Sequence, residues 1–151
     1  MTAITDIYDQ LVTLIEAALT DYVRLPDPYN VDENTELFLR KGYGVAFGDD
    51  TNTNRKIGCN KVSIDQQFVV PIMNQVTTTD TNAVGHAALE KALIEDKFKI
   101  VKAIETDSDL SGKTMKALYL GSSAITYLEG DRNKYLLTEL FISTEYLEVT
   151  T

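Results

Sequence analysis

The sequence predicts an α+β fold, a four-stranded, largely antiparallel sheet built from two hairpins and packed by two helices in the order α-β-β-α-β-β. Two segments repeat apolar residues at spacings of three and four, which is typical of amphipathic helices. Four other segments favour strands, and polar turn formers separate the elements. The 151 residues are 44% hydrophobic and 25% charged, which suits one globular domain covering residues 1–151.

The first helix is predicted over residues 3–24. Ile7, Leu11 and Ile15 belong to its apolar stripe, and acidic side chains supply the opposite face. Pro26 and Pro28 follow it, and proline disfavours the helical conformation in the residue before it. The segment LPDPYNVDENTE is therefore expected to be a loop.

The first hairpin is predicted from strands at 36–48 and 61–76. Three glycines lie on one face of the first strand, which indicates a bend, a bulge or the close approach of another backbone, or alternatively a simple curl of a long hairpin. They are Gly42, Gly44 and Gly48. Pro71 places the second strand at an edge or a bulge at that point, because proline cannot donate to a ladder. Residues 48–58 are rich in Asp, Asn, Thr and Gly and are expected to form an exposed loop.

The second helix is predicted over residues 83–105, after the polar connection 77–85. The second hairpin pairs residues 114–128 with 135–149 through the turn EGDRNK. The last strand carries apolar residues on both faces. A helix layer covers only one face of a sheet. The second face therefore requires the other helix or a neighbouring subunit as a cover.

Composition excludes several classes of protein. The chain has 14 basic and 23 acidic residues, a net charge of −9, which argues against a dedicated nucleic-acid binder. The single cysteine, Cys59, precludes an intramolecular disulfide. No apolar run approaches the ~20 residues that span a bilayer, and MTAITDIYDQ lacks the positive start of a signal peptide. We expect folding in a cytoplasm and no membrane partner.

The sequence lacks clear catalytic motifs. GYGVAFG lacks the lysine and helix start of a phosphate-binding loop, and GSSA at 121–124 lacks the second glycine of a nucleophile elbow. The only histidine, His86, and Cys59 make a weak nucleophilic pair. An enzyme or ligand-binding domain stays an alternative, and it would require both side chains and a carboxylate to converge in one pocket.

Metal ligation has one weak candidate, the acidic run at Asp49 and Asp50. Together with Asn52 and Asn54 it resembles a calcium loop in composition, but it lacks EF-hand spacing and the terminal bidentate Glu. A solvated acidic loop is the simpler interpretation. We therefore predict no catalytic residue, no cofactor and no metal.

The order of these segments resembles the tail-terminator (tail-completion) proteins of long-tailed bacteriophages. An amphipathic helix is followed by YNVDENTELFLRKGYGVAFGDDTNTNRKIGCN, by QFVVPIMNQVTTTDTN, by a helix and by LYLGSSAITYLEGDRNKYLLTELFISTEYLEV. The resemblance covers nearly the whole chain, and ELFISTEYLEV is its most telling part. It implies a structural protein without catalytic residues, which forms a hexameric ring on the tail tube, ends tube polymerisation and presents a head-joining surface.

The resemblance also implies partners and a location. The partners are other copies of the chain in a homohexamer, the tail tube protein and a head-completion or neck protein; the location is the virion tail, assembled in the host cytoplasm. Six copies at −9 each would carry −54, so genomic DNA would pass an acidic channel without specific binding. A head-completion, neck or minor tail protein of the same virion is the alternative.

Six residues are the candidates for subunit or tube contacts. Three are charged members of the 48–58 segment, one marks the expected sheet edge, and two lie on the last strand, whose two faces are both apolar. They are Asp49, Asp50, Arg55, Pro71, Phe141 and Tyr146.

Overall fold

The centre of the protein is a ladder between two long antiparallel strands, β4 (Lys61–Gln75) and β7 (Lys134–Val149). In the computed structural model, which describes residues 3–27, 29, 41–56, 61–76, 83–114, 116–129 and 134–149, they pair without interruption from Lys61 opposite Val149 to Gln75 opposite Tyr135. Both strands are rich in β-branched and aromatic residues, which pack well on a pleated surface.

Shorter strands flank this pair on both sides. The outer side of β4 carries β2 (Lys41–Tyr43) and β3 (Ala46–Lys56), and β1 (Val23–Arg24) runs parallel to β2. The outer side of β7 carries β5 (Lys116–Ser122) and β6 (Thr126–Glu129). The sheet is therefore mixed and seven-stranded.

The α+β class is confirmed, but the predicted four-stranded sheet is wrong. Each predicted outer strand is divided in two, at Gly44 and Val45 on one side and at residues 123–125 on the other. The short β1 adds a parallel strand where the first helix was expected to continue. The local pattern of apolar residues predicts where strands form. Where a strand is interrupted depends on its pairing with the neighbouring strand, which the local pattern does not contain.

Both helices cover one face of the sheet. The first, α1 (Ala3–Ala18), ends six residues before the predicted boundary, and α2 (Ala83–Thr106) agrees with its prediction within one residue. Even-numbered residues of β4 and β7 point toward the helices. The main core between the two layers includes Ile7, Leu11, Ile15, Phe68, Val70, Ile72, Leu93, Ile100, Ile104, Leu136, Leu140 and Ile142.

The opposite face of the sheet, here called the helix-free face, is covered at one end by the chain itself. Leu25 packs there with Met73, Tyr135 and Leu137, and all four are buried. The hydroxyl of Tyr29 donates to Glu139 at 2.5 Å on the same face. The second cover predicted for the last strand is thus partly the segment after α1, and neither helix supplies it.

The predicted exposed loop at 48–58 is wrong, because β3 continues through Lys56; residues 57–58 lie outside the described residues. Its polar side chains alternate along a strand paired with β4, with Thr51 opposite Asp65. Of the alternatives predicted for the three glycines, a bulge with a close backbone approach is found at Gly48: a register shift lies between Phe47 and Asp50, and a Cβ on Gly48 would lie 3.2 Å from the Gln67 carbonyl oxygen.

The prediction that Pro71 marks a sheet edge is also wrong. Pro71 is buried in β4, opposite Glu139 of β7, and its carbonyl oxygen accepts from the Gly44 N–H at 3.0 Å. In an antiparallel strand the N–H and C=O of one residue point the same way. The nitrogen of Pro71 therefore points to the gap between β2 and β3, where its missing proton removes no ladder bond.

Candidate interaction surfaces

The six predicted contact residues occupy different environments. Asp49 and Asp50 are exposed on β3, and Phe141 is half-buried on the helix-free face between Val69 and Gly121. Arg55 lies in β3, but its side chain is outside the described part.

The other two candidates are unavailable to a partner. Tyr146 is 6% exposed within the main core, because its even-numbered position on β7 faces the helices. Pro71 is buried in β4. Among the predicted contacts whose side chains are described, Asp49, Asp50 and Phe141 are therefore the accessible ones.

The sheet has two long edges that carry no further strand in the described part of the chain. One is the outer edge of β3 and the other is the outer edge of β5. A single row across the sheet joins them, running through Thr51, Asp65, Glu145 and Lys116. Three strand spacings separate Thr51 from Lys116, or about 14 Å. The edges thus face opposite directions at the same level of the molecule.

The two edges differ in chemistry. The β5 edge exposes two large apolar side chains, Leu118 at 42% and Leu120 at 52%. The β3 edge exposes Asp49 and Asp50, together with Phe47 at 55%. Exposed apolar side chains on an edge strand favour pairing with another chain, and charged side chains on an edge discourage unselective pairing. Sequence reasoning missed the β5 edge, because its alternation of apolar residues equally suits a covered strand.

Polar residues on the helix-free face are tied to each other. The Ser63 hydroxyl donates to Glu145 at 3.0 Å, and the Ser143 hydroxyl donates to Asp65 on the neighbouring strand. These contacts satisfy two carboxylates that lie opposite each other in the β4–β7 ladder. They support the ladder's register; the two serines are buried and the two carboxylates are half-buried.

The surroundings of His86 bear on the enzyme alternative. Its Nε2 lies 2.9 Å from Glu90, and the Tyr127 hydroxyl lies 3.1 Å from its Nδ1. The Lys134 ammonium lies 4.1 Å from the centre of the Tyr127 ring. These contacts fix the histidine ring between α2 and β6. Cys59, its supposed partner, lies outside the described residues.

A buried polar cluster links α2 to the sheet, and sequence reasoning missed it. The Tyr22 hydroxyl donates to Asp96 at 2.7 Å and lies 2.9 Å from Asn74 Oδ1. Asp96 is 5% exposed, and it accepts from Lys99 at 2.8 Å and lies 3.6 Å from Lys41. The signal was available, because Asp96 and Lys97 fall between Leu93 and Ile100 on the apolar stripe of α2.

Burial and the Asp96 carboxylate together raise the pKa of Tyr22 well above its ordinary value of 10.0. The hydrogen bond from Lys41 at 2.9 Å lowers the pKa of Asp21 below its ordinary value of 3.8. The Tyr22 hydroxyl has a single proton, and it donates this proton in the hydrogen bond to Asp96. A half-turn of the Asn74 amide lets Nδ2, otherwise without a partner among the described residues, donate to the Tyr22 oxygen.

Two structural features are absent from the described ranges of the chain. These ranges contain no helix both long and apolar enough to cross a membrane. Over the same ranges, no three side chains among His, Cys, Asp and Glu are grouped so that they could hold a metal ion.

Comparison with models of known protein families gave no match, and comparison with curated proteins gave no significant match. The resemblance to tail terminators thus stays a prediction based on the order and texture of the elements.

Proposed function

We propose that this protein is a ring-forming structural component of a bacteriophage tail, which caps the tail tube, ends its polymerisation and joins it to the head. The observation that carries the proposal is the pair of unlike edges on one sheet. An association that uses two different surfaces of each copy is heterologous, and it closes into a ring when the rotation between copies allows.

The exposed side chains support self-association. Leu118 and Leu120 on β5 and Val149 on β7 are exposed in a chain that is otherwise rich in charge. Phe141 and Val69 add a half-buried apolar strip on the helix-free face. Association would remove this apolar surface from water, which is the dominant favourable contribution in most protein assemblies.

The charge of the chain supports passage of DNA through the ring. With a net charge of −9 on each copy, the walls of a closed ring repel phosphate. DNA would then move through the ring without the counterion release that drives binding to a basic surface. Head-completion or neck proteins share this requirement, so charge does not separate them from a terminator.

The first experiment measures the mass of the purified protein by light scattering over a wide concentration range, with negative-stain images of the same samples. The proposal expects a closed species of one fixed size with a central hole. A monomer at every concentration, both alone and with isolated tail tubes, would contradict it.

The second experiment deletes the gene from the phage that encodes it and images the particles. Loss of a terminator should give over-long tails or unjoined heads and tails. Tails of normal length would instead identify a neck or minor tail protein. The variants His86→Ala and Cys59→Ser serve as controls, because neither should change assembly if the protein works without catalysis.

A further inference from the structure

We propose that copies of the chain associate by strand pairing, in which the outer edge of β5 in one copy pairs antiparallel with the outer edge of β3 in the next. The sheet would then continue from subunit to subunit. The closure of the paired copies into a ring rests on the proposed function. The strand pairing adds to that function the surface that joins the copies.

The strand directions permit this pairing. β3 is antiparallel to β4, β4 to β7, and β7 to β5. Consequently β3 and β5 of one copy run in opposite directions. When a second copy is placed beside the first with its helices on the same side, β5 meets the next β3 as an antiparallel neighbour. The Ala117 N–H of β5 already donates to the Ser108 carbonyl at 2.6 Å, so the outward backbone groups of β5 that gain partners are those that follow Ala117.

The side chains on the two edges complement each other. The row through Phe47, Phe68, Ile142 and Tyr119 places Tyr119 on β5 at the same level as Phe47 on β3. Pairing of copies at this level brings Tyr119 of one copy beside Phe47 of the next, both on the helix side. Aromatic residues opposite each other are a favourable cross-strand pair.

Charge also favours the pairing of unlike edges. At the level that places Tyr119 beside Phe47, Lys116 lies opposite Thr51 of the next β3, with Asp50 one residue away on the helix side of the sheet and Asp49 within the register shift. Pairing of two β3 edges would instead place Asp49 and Asp50 of both copies along one seam, and pairing of two β5 edges would leave Lys116 without an acidic residue on the facing strand. Like charges opposite each other destabilise a strand pair. The register shifts in β3 further restrict which strand fits its edge.

Disulfide formation between engineered cysteines tests the pairing. In a Cys59→Ser background, Thr51→Cys is combined in turn with Lys116→Cys, Leu118→Cys or Leu120→Cys, which covers register shifts of a few residues. Within one copy Thr51 lies about 14 Å from Lys116 across three strand spacings. A disulfide requires Cα atoms within about 7 Å. Any Thr51–Lys116 disulfide therefore joins two copies.

A matched control pairs Thr51→Cys with Thr126→Cys, an exposed position on β6. Thr126 lies opposite Leu137 and Lys116 opposite Glu145, so the control cysteine is eight residues away along β7, or about 27 Å. The three single β5 variants and the single Thr51→Cys variant are oxidised in parallel. Products are separated on a denaturing, non-reducing gel.

The expected result is a ladder of multimers from at least one β3–β5 pair, with monomer from the control pair and from each single variant. Equal dimer formation by Thr51→Cys alone would show like-edge pairing and overturn the inference. Absence of cross-linking in all three pairs, while light scattering still shows an oligomer, would also overturn it and leave the proposed function standing. A protein that stays monomeric throughout would overturn both.

Discussion

At the scale of single residues, Tyr22 connects the segment after α1 to α2 and to the sheet. Its hydroxyl reaches Asp96 of α2 and Asn74 of β4, and its ring lies 5.4 Å from the Lys41 ammonium of β2. A buried carboxylate is costly unless its lone pairs are satisfied. The hydrogen bonds of this cluster therefore fix the position of α2 relative to β4.

The variant Tyr22→Phe should lower the free energy of unfolding by about 1–3 kcal/mol, because Asp96 loses a donor while it stays buried. Urea denaturation followed by circular dichroism measures the change. Tyr127→Phe is the matched control, since Tyr127 is 48% exposed, and its effect should stay within about 0.5 kcal/mol. Equal effects from the two variants would contradict the importance of the buried cluster.

Stability should fall in alkali. Burial, together with neighbouring carboxylates, raises the pKa values of Tyr22, Tyr43 and Tyr146 above 10.0. Above pH of about 10 the unfolded chain loses phenolic protons that the folded chain keeps. The folded state then binds more protons, so the free energy of unfolding decreases as pH rises. This contribution is fully present below pH of about 10.

Urea midpoints measured between neutral pH and strong alkali, with tyrosinate absorbance of the folded and unfolded chain, test this dependence. Tyr22→Phe should flatten the alkaline decrease, because it removes one of the contributing groups. A urea midpoint that is constant through the titration of the unfolded tyrosines would refute the assignment of these groups as buried.

At the scale of elements, breaks and bulges decide how strands are divided. The spacing of apolar residues was enough to predict β4, β7 and α2. It could not predict the division of the outer strands, because Gly44 lies beside Pro71 only after β2, β3 and β4 have paired. The polar composition of 48–58 favoured a loop, whereas pairing with β4 makes it a strand. The accessible aspartates were predictable from sequence, but burial of Tyr146 depended on which face the helices occupy.

Gly121→Ala should destabilise the protein by about 1–2 kcal/mol. The φ of Gly121 is +139°, a conformation that residues with a Cβ rarely adopt, and it lies at the register shift of β5 opposite Phe141. In the described part of the chain, no atom beyond the adjacent residues lies within 4 Å of the added Cβ, so the cost comes from the backbone and not from a clash. Thermal unfolding measures it.

Thr126→Ala is the control for Gly121→Ala, because Thr126 is an exposed residue of the neighbouring β6. Its effect should remain within about 0.5 kcal/mol. If Gly121→Ala proved as mild as this control, the positive φ would not be required for the bulge.

At the scale of the whole molecule, the two layers leave one face and two edges without cover from helices. The main core is formed by residues of a single copy, so we expect the folded monomer to be stable on its own. The exposed apolar residues at the sheet edges are thus free to serve association. The interface between the helices and the sheet thus stabilises the fold, and the sheet edges are the surfaces proposed for assembly.

Leu118→Asp should weaken self-association at least tenfold, a change of about 1.4 kcal/mol, without loss of the folded monomer. Phe98→Asp is the matched control, since Phe98 is 46% exposed on α2, compared with 42% for Leu118 on the β5 edge. Sedimentation measures the association, and circular dichroism checks the fold. Should Phe98→Asp weaken association as strongly as Leu118→Asp, the contact would lie on the helices.

The central ladder also determines when during synthesis the protein becomes competent to assemble. Partners in β4 and β7 are separated along the chain by 60 residues at Gln75 and Tyr135 and by 88 residues at Lys61 and Val149. Such distant pairings close slowly, and they cannot begin before the ribosome has released β7. Because β5 pairs with β7 in the sheet, the β5 edge does not form in a nascent chain until β7 has been synthesised. Neighbouring nascent chains on one messenger are thereby protected from joining prematurely.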